Sequence, residues 1–468
     1  MTAAALAAYT SEALDITWIA CKSATDADIF YGNLAPPSAY EFNLALGVAE
    51  PDLLLESDTA FSYGTHYRSW GDRQLDWVQA FHLPLPVLEG VPFHHYLTQQ
   101  GIEELEPFLV SALAARRGAF AHPPEDRGNP LSRAEYGYHF DTEDYGRLFA
   151  SAAVRAGISR IDVEIAGLDM ADGNISAVHL SDGRSVTADL WVDATGPQAH
   201  LLSQAGAKAL GNRRLVAHLA RTQADDAVGG VTVVTGNPDG WHARIPLRSS
   251  VLSLTVADAE KDPAPPGHGQ ALSTRSATAT IGRREAAWLG NCVAIGQASC
   301  VAEPLTSAPM ILLQRDVERL LTLLPVSDDM AVERREFNRQ AEADFAHAGL
   351  FTGALFKTPP LSGSSYWRQA CEEPDDDRLL RKIEQFESRG LHVAYDLEPF
   401  SPEDWLILHY GMRRKPARYD RTADRADRAG VRTYLETLRR EIDGLVRSMP
   451  PHGVYLNGLT NYLRQNKG

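Results

Sequence analysis

The first apolar pattern is an alanine-rich stretch over residues 2–14, with Leu6, Tyr9 and Leu14, which propensity alone makes a helix. It feeds Ile16 to Cys21 (ITWIAC), a short β-rich run predicted as a buried parallel strand. In a doubly wound sheet such a helix follows a strand and a glycine turn, and Met1 falls directly after the place where they would stand. From Tyr138 to Gly157 the positions Tyr145, Leu148, Phe149, Ala152, Ala153 and Ala156 share one helical face, with Gly157 as the stop. Strands are predicted next at Ile161 to Ile165, at Ile175 to Leu180 after the turn Asp172-Gly173, and at Leu190 to Val192, read together as a meander leading into a buried strand. Further strand-like runs are Val231 to Val234, Ala243 to Leu247 and Val251 to Val256.

Asn291 to Ile295 forms another short apolar strand, Gly296 to Pro309 a loop, and Met310 to Leu324 (MILLQRDVERLLTLL) an amphipathic helix. Beyond Ala331 the pattern is helical and charged, broken near Pro359 to Ser364 and Pro399 to Pro402. The resulting expectation is an α/β fold, an FAD/NAD-binding type box with a mixed sheet plus a mainly helical C-terminal domain. Residues 1–330 would form the α/β domain, with a substrate-side segment inserted at about 60–140 and 210–285, and residues 331–468 the helical domain.

Composition narrows the function classes. A formal net charge of −16, spread along the chain, offers no basic patch for phosphates, so nucleic-acid partners are not expected. No apolar run reaches the roughly 18 residues of a spanning helix, so no membrane partner is expected either. Cys21, Cys292, Cys300 and Cys371 stand at wide, unpatterned spacings that suit reduced thiols rather than a disulfide frame or a zinc site. Together with an N-terminus lacking a basic region, they point to the cytoplasm, and no metal is expected.

Two elements carry candidate chemistry. Ala188 to Leu202 (ADLWVDATGPQAHLL) is an apolar strand ending in Asp193-Ala194-Thr195-Gly196, and Cys292 to Ile295 runs into Gly296 and then Ala302-Glu303-Pro304-Leu305. A strand ending on glycine brings main chain close to a flat cofactor, because no Cβ intervenes. Either element alone also suits a tight structural turn; the pair, about a hundred residues apart, is the stronger signal.

At this point the chain resembles the flavin-dependent tryptophan halogenase family. The resemblance rests on Tyr40-Glu41-Phe42-Asn43 with Leu46-Gly47, on Phe61 to Trp70 (FSYGTHYRSW), on Phe93-His94-His95-Tyr96, and on Tyr138-His139-Phe140-Asp141. It continues in Gly240 to Leu247 (GWHARIPL), Ala302 to Ser307 and Glu398 to Trp405, in the family's order along nearly the whole chain. The resemblance implies reduced FAD, supplied by a separate flavin reductase, and oxygen, which together oxidise a halide to hypohalous acid. That oxidant travels to an indole-like small aromatic substrate, held by a lysine and oriented by a glutamate. It further implies Gly196, Gly296, Pro304 and Leu305 at the cofactor, and His82, Trp241 and Trp405 at the substrate.

The chain departs from the family at several of these positions. Ser62 stands at the lysine, and a hydroxyl carries no positive charge. Thr306 stands at the glutamate, Ala243 at the second tryptophan of the signature, and Ser307-Ala308-Pro309 where main-chain amides would meet halide, although proline has no N–H. Gly32 to Pro37 replaces the Gly-Glu-Ala-Thr-Ile-Pro loop, and the family's glycine fingerprint would lie before Met1. These departures leave three expectations: an oxidoreductase of the halogenase or monooxygenase type, a non-catalytic halogenase paralogue serving as a binding or partner subunit, and a piece of a longer chain that supplies the glycine loop.

The remaining polar clusters have plainer readings. Adjacent His94 and His95 would point apart on a strand and make no metal pair. Glu303 is as well explained by the following helix N-terminus as by base chemistry, and Glu372 to Asp377 reads as a solvated acidic loop. A homodimer is the default assembly at this size.

Overall fold

The computed structural model describes residues 1–10, 14–21, 26–224, 229–261, 271–327, 329–361, 365–372 and 376–466. The acidic run is described only in part, since Glu373, Pro374 and Asp375 lie outside these residues, as do residues 11–13 of the first predicted helix.

Its largest element is an eight-stranded mixed sheet in the order Cys300–Val301, Ser273–Arg284, Ala209–Gln223, Ser250–Asp258, Gly240–Pro246, Thr232–Asn237, Gly64–Trp70 and Leu75–Ala80. Neighbours run antiparallel except Thr232–Asn237 with Gly64–Trp70, which are parallel and join the two segments of the chain into one sheet. Ser250–Asp258 is buried at every position, which is why its sequence reads as continuous rather than alternating. The glycine-turn elements lie elsewhere. Trp191–Asp193 pairs in parallel with Cys292–Ala294, and Thr17–Ala20 in parallel with Ser159–Asp162, as two separate sheets. An α/β fold with a mixed sheet is therefore what the chain adopts.

Three expectations need correction. Ile161 belongs to the parallel pair with Thr17–Ala20, and the meander is instead Ile165–Ala171, Asn174–Leu180 and Ser185–Val186. The helix predicted from Tyr138 begins at Thr142, because the Asp141 carboxylate accepts from the Glu143 and Asp144 amides and sets the N-terminus there. Tyr138 and His139 lie in the strand Gly137–His139. The third helix starts two residues early, at Ala308, so Pro309 sits in the first turn of Ala308–Thr322, where a missing N–H costs no helical bond.

Beyond residue 330 the chain is helical: Ala331–Phe356, Ser365–Glu372, Asp377–Arg389, Pro402–Gly411, Arg428–Ser448 and His452–Asn466. Pro402–Gly411 matters most for function. A capping box between Ser401 and Asp404 fixes its start. Its end lies so close to the sheet that a Cβ at Gly411 would fall 2.3 Å from a Trp77 ring carbon. The helix is thus clamped over the Leu75–Ala80 strand, and the Gln79 amide donates to the Asp404 carbonyl at 2.8 Å to complete the join. Among the described residues no helix is long and apolar enough to cross a membrane.

Candidate functional site

The Ala308–Thr322 helix buries Leu312, Leu313, Val317 and Leu320 in the core and turns Ile311, Gln314, Arg315 and Glu318 the other way, a spacing of three, four and seven that makes one stripe. That stripe lines a cavity of about 400 Å³. Facing it are Thr65 and Tyr67, alternate residues of one strand, followed by Gln79, Phe81 and His82. Phe351, Phe400 and Asp404 close one side, and Pro36, Thr306 and Ser307 the other. Walls of this kind suit a flat aromatic ligand.

The polar groups of the cavity are mostly acceptors. Burial pushes His82 down to about 4, so its ring is neutral near pH 7. Its Nδ1 lies 2.6 Å from the Leu83 carbonyl, which can only accept, so the proton resides on Nδ1 and Nε2 keeps its lone pair. Burial, with Asp404 and Glu403 adding repulsion, raises Glu135 above the usual carboxylate range. Burial also raises Glu318 and Asp404. Arg315 supplies the positive charge, but its guanidinium pairs with Asp344 and donates to the Leu397 and Glu398 carbonyls at 2.8 and 2.9 Å. It is a strut for the 397–401 wall. Leu397 is held there at φ +61°, a left-handed conformation unusual for leucine.

The residues that resemblance singled out fall at different depths. His82 and Thr306 line the cavity, and the Thr306 hydroxyl accepts from the Ala308 amide at 3.1 Å. Ser62 does not line it: the side chain is fully buried and bonds, at 3.2 Å, to the main chain of Gly64 two residues on. Trp405 stands one layer behind, edge-on to Phe351, which itself stacks on Phe400. Trp241 is fully buried, and its indole N–H donates to Glu303 at 2.8 Å. Glu303 Oε1 also accepts from Tyr366 and its Oε2 lies 3.1 Å from the Arg213 guanidinium, so this carboxylate is paired within the fold. Neither tryptophan is among the cavity residues.

At the two glycine turns the amides are already engaged. Asp193 accepts from the amides of Thr195, Leu201 and Leu202 at 2.9 to 3.0 Å, holding the turn that carries Gly196, whose own α-face is open. The Gly296 amide donates to Asp316 at 3.0 Å, and a Cβ there would fall 2.5 Å from the Tyr31 hydroxyl. Burial raises Asp316 to about 6, and Arg319 at 2.7 Å opposes that rise. Pro304 packs on Gly32 with no room for a side chain, and the Leu305 carbonyl accepts from Tyr67 at 2.9 Å. The space left between Tyr31, Gly296 and Pro309 is about 10 Å³, enough for one water. At the Gly296 turn the Asp316 carboxylate thus takes the amide and the Tyr31 hydroxyl covers the glycine face.

Glu135, Gln314, Glu318 and Asp404 were not singled out from the sequence. The signal for two of them was the stripe Ile311, Gln314, Arg315 and Glu318, which is indistinguishable from a solvent face until something packs opposite. Among the described residues no group of histidine, cysteine and carboxylate side chains could hold a metal.

Comparison with known proteins fits this architecture. The chain is 25% identical to the tryptophan 7-halogenase RebH of Lentzea aerocolonigenes over 378 residues, covering 73% of this chain and 71% of that protein. The structure of BrvH, a flavin-dependent halogenase from Brevundimonas sp. BAL3, superposes with a TM-score of 0.89 at 28% identity, covering 98% of this chain and 96% of the other. Xcc4156, a flavin-dependent halogenase from Xanthomonas campestris, superposes with a TM-score of 0.88 at 25% identity, covering 97% and 95%. The sequence model of tryptophan halogenases matches residues 1–428, and with that extent of agreement the chain belongs to the tryptophan halogenase family.

Proposed function

We propose that this chain is an oxidoreductase of the flavin-dependent halogenase family that acts on an indole-like aromatic held in the cavity beside Thr306 and His82. The observation that carries this reading is the cavity itself: about 400 Å³, aromatic on two sides, and bordered by Thr306 and Ser307 of the Ala302 to Ser307 segment that carries the family resemblance. Reduced FAD from a separate reductase, with oxygen, would supply the oxidising equivalent. The chain's own part is to hold the ring, exclude water and accept a ring proton. With threonine at the family's glutamate position, the acceptors available for that proton are His82 Nε2 and the Glu135 carboxylate.

A second reading is favoured by one observation. Ser62 is bonded to the Gly64 main chain, away from the cavity, and among the described residues no lysine lines the cavity. On that reading the chain is a paralogue that binds an aromatic without halogenating it. The purified protein is incubated with a flavin reductase, FAD, NADH, oxygen, bromide and either indole or tryptophan, and products are examined by mass spectrometry. A brominated product supports the enzyme. Bound but unmodified aromatic supports the second reading, and no binding at all refutes both.

A further inference from the structure

Resting on the reading that the cavity holds an aromatic ligand, we propose that it selects an aromatic amine without a free carboxylate, an arylethylamine or the amide of an aromatic amino acid, over the zwitterionic amino acid or an aromatic acid. Three carboxylates border the cavity: Glu135 and Asp404 on one wall, and Glu318 on the helix opposite. The Arg315 guanidinium that might balance them is directed at Asp344 and two main-chain carbonyls. His82 Nε2 adds a further acceptor. A protonated amine has three donors and a positive charge, and it opposes the burial and the Asp404 and Glu403 repulsion that raise Glu135. A ligand carboxylate would add a fourth negative group, and the one Arg or Lys among the described cavity residues, Arg315, is paired with Asp344.

A second, independent observation concerns Gln314. Its side chain is 97% buried by its 3% exposure, its Oε1 accepts from Ser38 at 3.0 Å, and its Nε2 has no hydrogen-bond partner among the described residues, although the residue lines the cavity. An unmade bond of this kind is costly unless a ligand completes it. A donor in that position calls for a neutral acceptor on the ligand. Gln314 and Glu318 are four apart on one helix face, so their side chains are neighbours. An amide carbonyl on the first and its adjacent amine on the second match that spacing.

Calorimetric titration of the unmodified protein at pH 7.5 with tryptamine, L-tryptophanamide, L-tryptophan, indole-3-acetate and indole tests this. Tryptamine and tryptophanamide are expected to bind at least tenfold more tightly than tryptophan or indole-3-acetate. Glu318→Gln, at the exposed mouth where folding is undisturbed, and Glu135→Gln should each shrink that ratio several-fold. Gln314→Met should weaken tryptophanamide more than tryptamine. Equal or tighter binding of indole-3-acetate, or a ratio unchanged in both glutamine variants, overturns the inference while leaving the aromatic cavity standing. Failure of all five ligands to bind overturns the cavity reading itself.

Discussion

Acidification should destabilise this protein from about pH 6.5 downward, because five histidines are folded in the neutral state. Burial holds His82 and His392 near 4 and His94 and His139 near 3, and it holds His409 well below 6.5. Each folded pKa is depressed below the unfolded one, so the unfolded chain binds the proton first. Stability from these groups is complete above pH 6.5 and falls as pH drops toward 4. At about 1.4 kcal/mol per pH unit, each of the four held near 3 or 4 costs about 2 kcal/mol at pH 5, about 8 kcal/mol together, and His409 adds to the loss in the same direction. Asp316 acts the other way. Its folded pKa of about 6 lies above the unfolded 3.8, so acid returns about 1 kcal/mol through it by pH 5, and the raised Glu135, Glu318, Glu403 and Asp404 act in the same direction. The remaining loss is comparable to the whole stability of a typical domain, about 5 to 15 kcal/mol. Urea titrations followed by tryptophan fluorescence at pH 7.5, 6.5 and 5.5 read it directly as a falling midpoint. His409 stacks on Phe386 at 4.1 Å, so His409→Phe keeps the packing and removes one titrating group. The variant should lose about 1.4 kcal/mol per pH unit of slope below pH 6. A midpoint that does not move between pH 7.5 and 5.5 would refute the burial argument.

Three further outcomes follow from single contacts. Lys382, buried and paired with Glu398 at 2.7 Å, is expected to cost about 3 kcal/mol or more when changed to methionine, with most of it recovered in Lys382→Met/Glu398→Gln, as a double-mutant urea cycle will show. Gly411→Ala drives a methyl into Trp77 and should cost about 1 to 3 kcal/mol, with a shift in tryptophan emission; no change would mean that the helix is not clamped to the strand. Tyr31→Ala clears the hydroxyl from the Gly296 turn and should raise FAD affinity in flavin fluorescence titrations. Unchanged affinity would place any flavin contact elsewhere.

What could be read from the sequence follows from how strongly each segment is buried. Cys292–Ala294 and Ala308–Thr322 were recoverable because an apolar run and an apolar stripe are driven by the core. Ser273–Arg284 (STRSATATIGRR) escaped notice although it is twelve residues long. Only Ala277 and Ala279 on it are buried, so its alternation is between small and polar residues and carries no hydrophobic signal. Ala209–Gln223 was missed too, and with it the sheet's central pairing. Of the residues the resemblance singles out, His82 and Thr306 line the cavity while Trp241 and Trp405 lie behind its lining, a difference the sequence does not carry because a buried tryptophan and a ligand-facing one look alike in it. Glu135, Gln314 and Glu318 could not be distinguished from surface residues, because what makes them unusual is the element packed opposite each.

The same geometry ties the acid response to the ligand. His392 and His409 lie behind Trp405 with Lys382, whose ammonium sits 4.6 Å over the Trp405 ring and whose charge helps hold His392 neutral. Trp405 backs Phe351 and Phe400, and those two rings form a cavity wall. A proton arriving on either histidine therefore places a second cation beside Lys382, in the layer that supports that wall. The wall should loosen before the strands do, because the strand histidine His139 donates from Nδ1 to the Pro246 carbonyl at 2.9 Å and burial holds it near 3, below His392 near 4. The Trp405 part of the near-ultraviolet dichroism, taken as the difference from Trp405→Phe, should then decay at a higher pH than the far-ultraviolet signal of the strands. Coincident decay would mean that the wall and the sheet unfold as one unit.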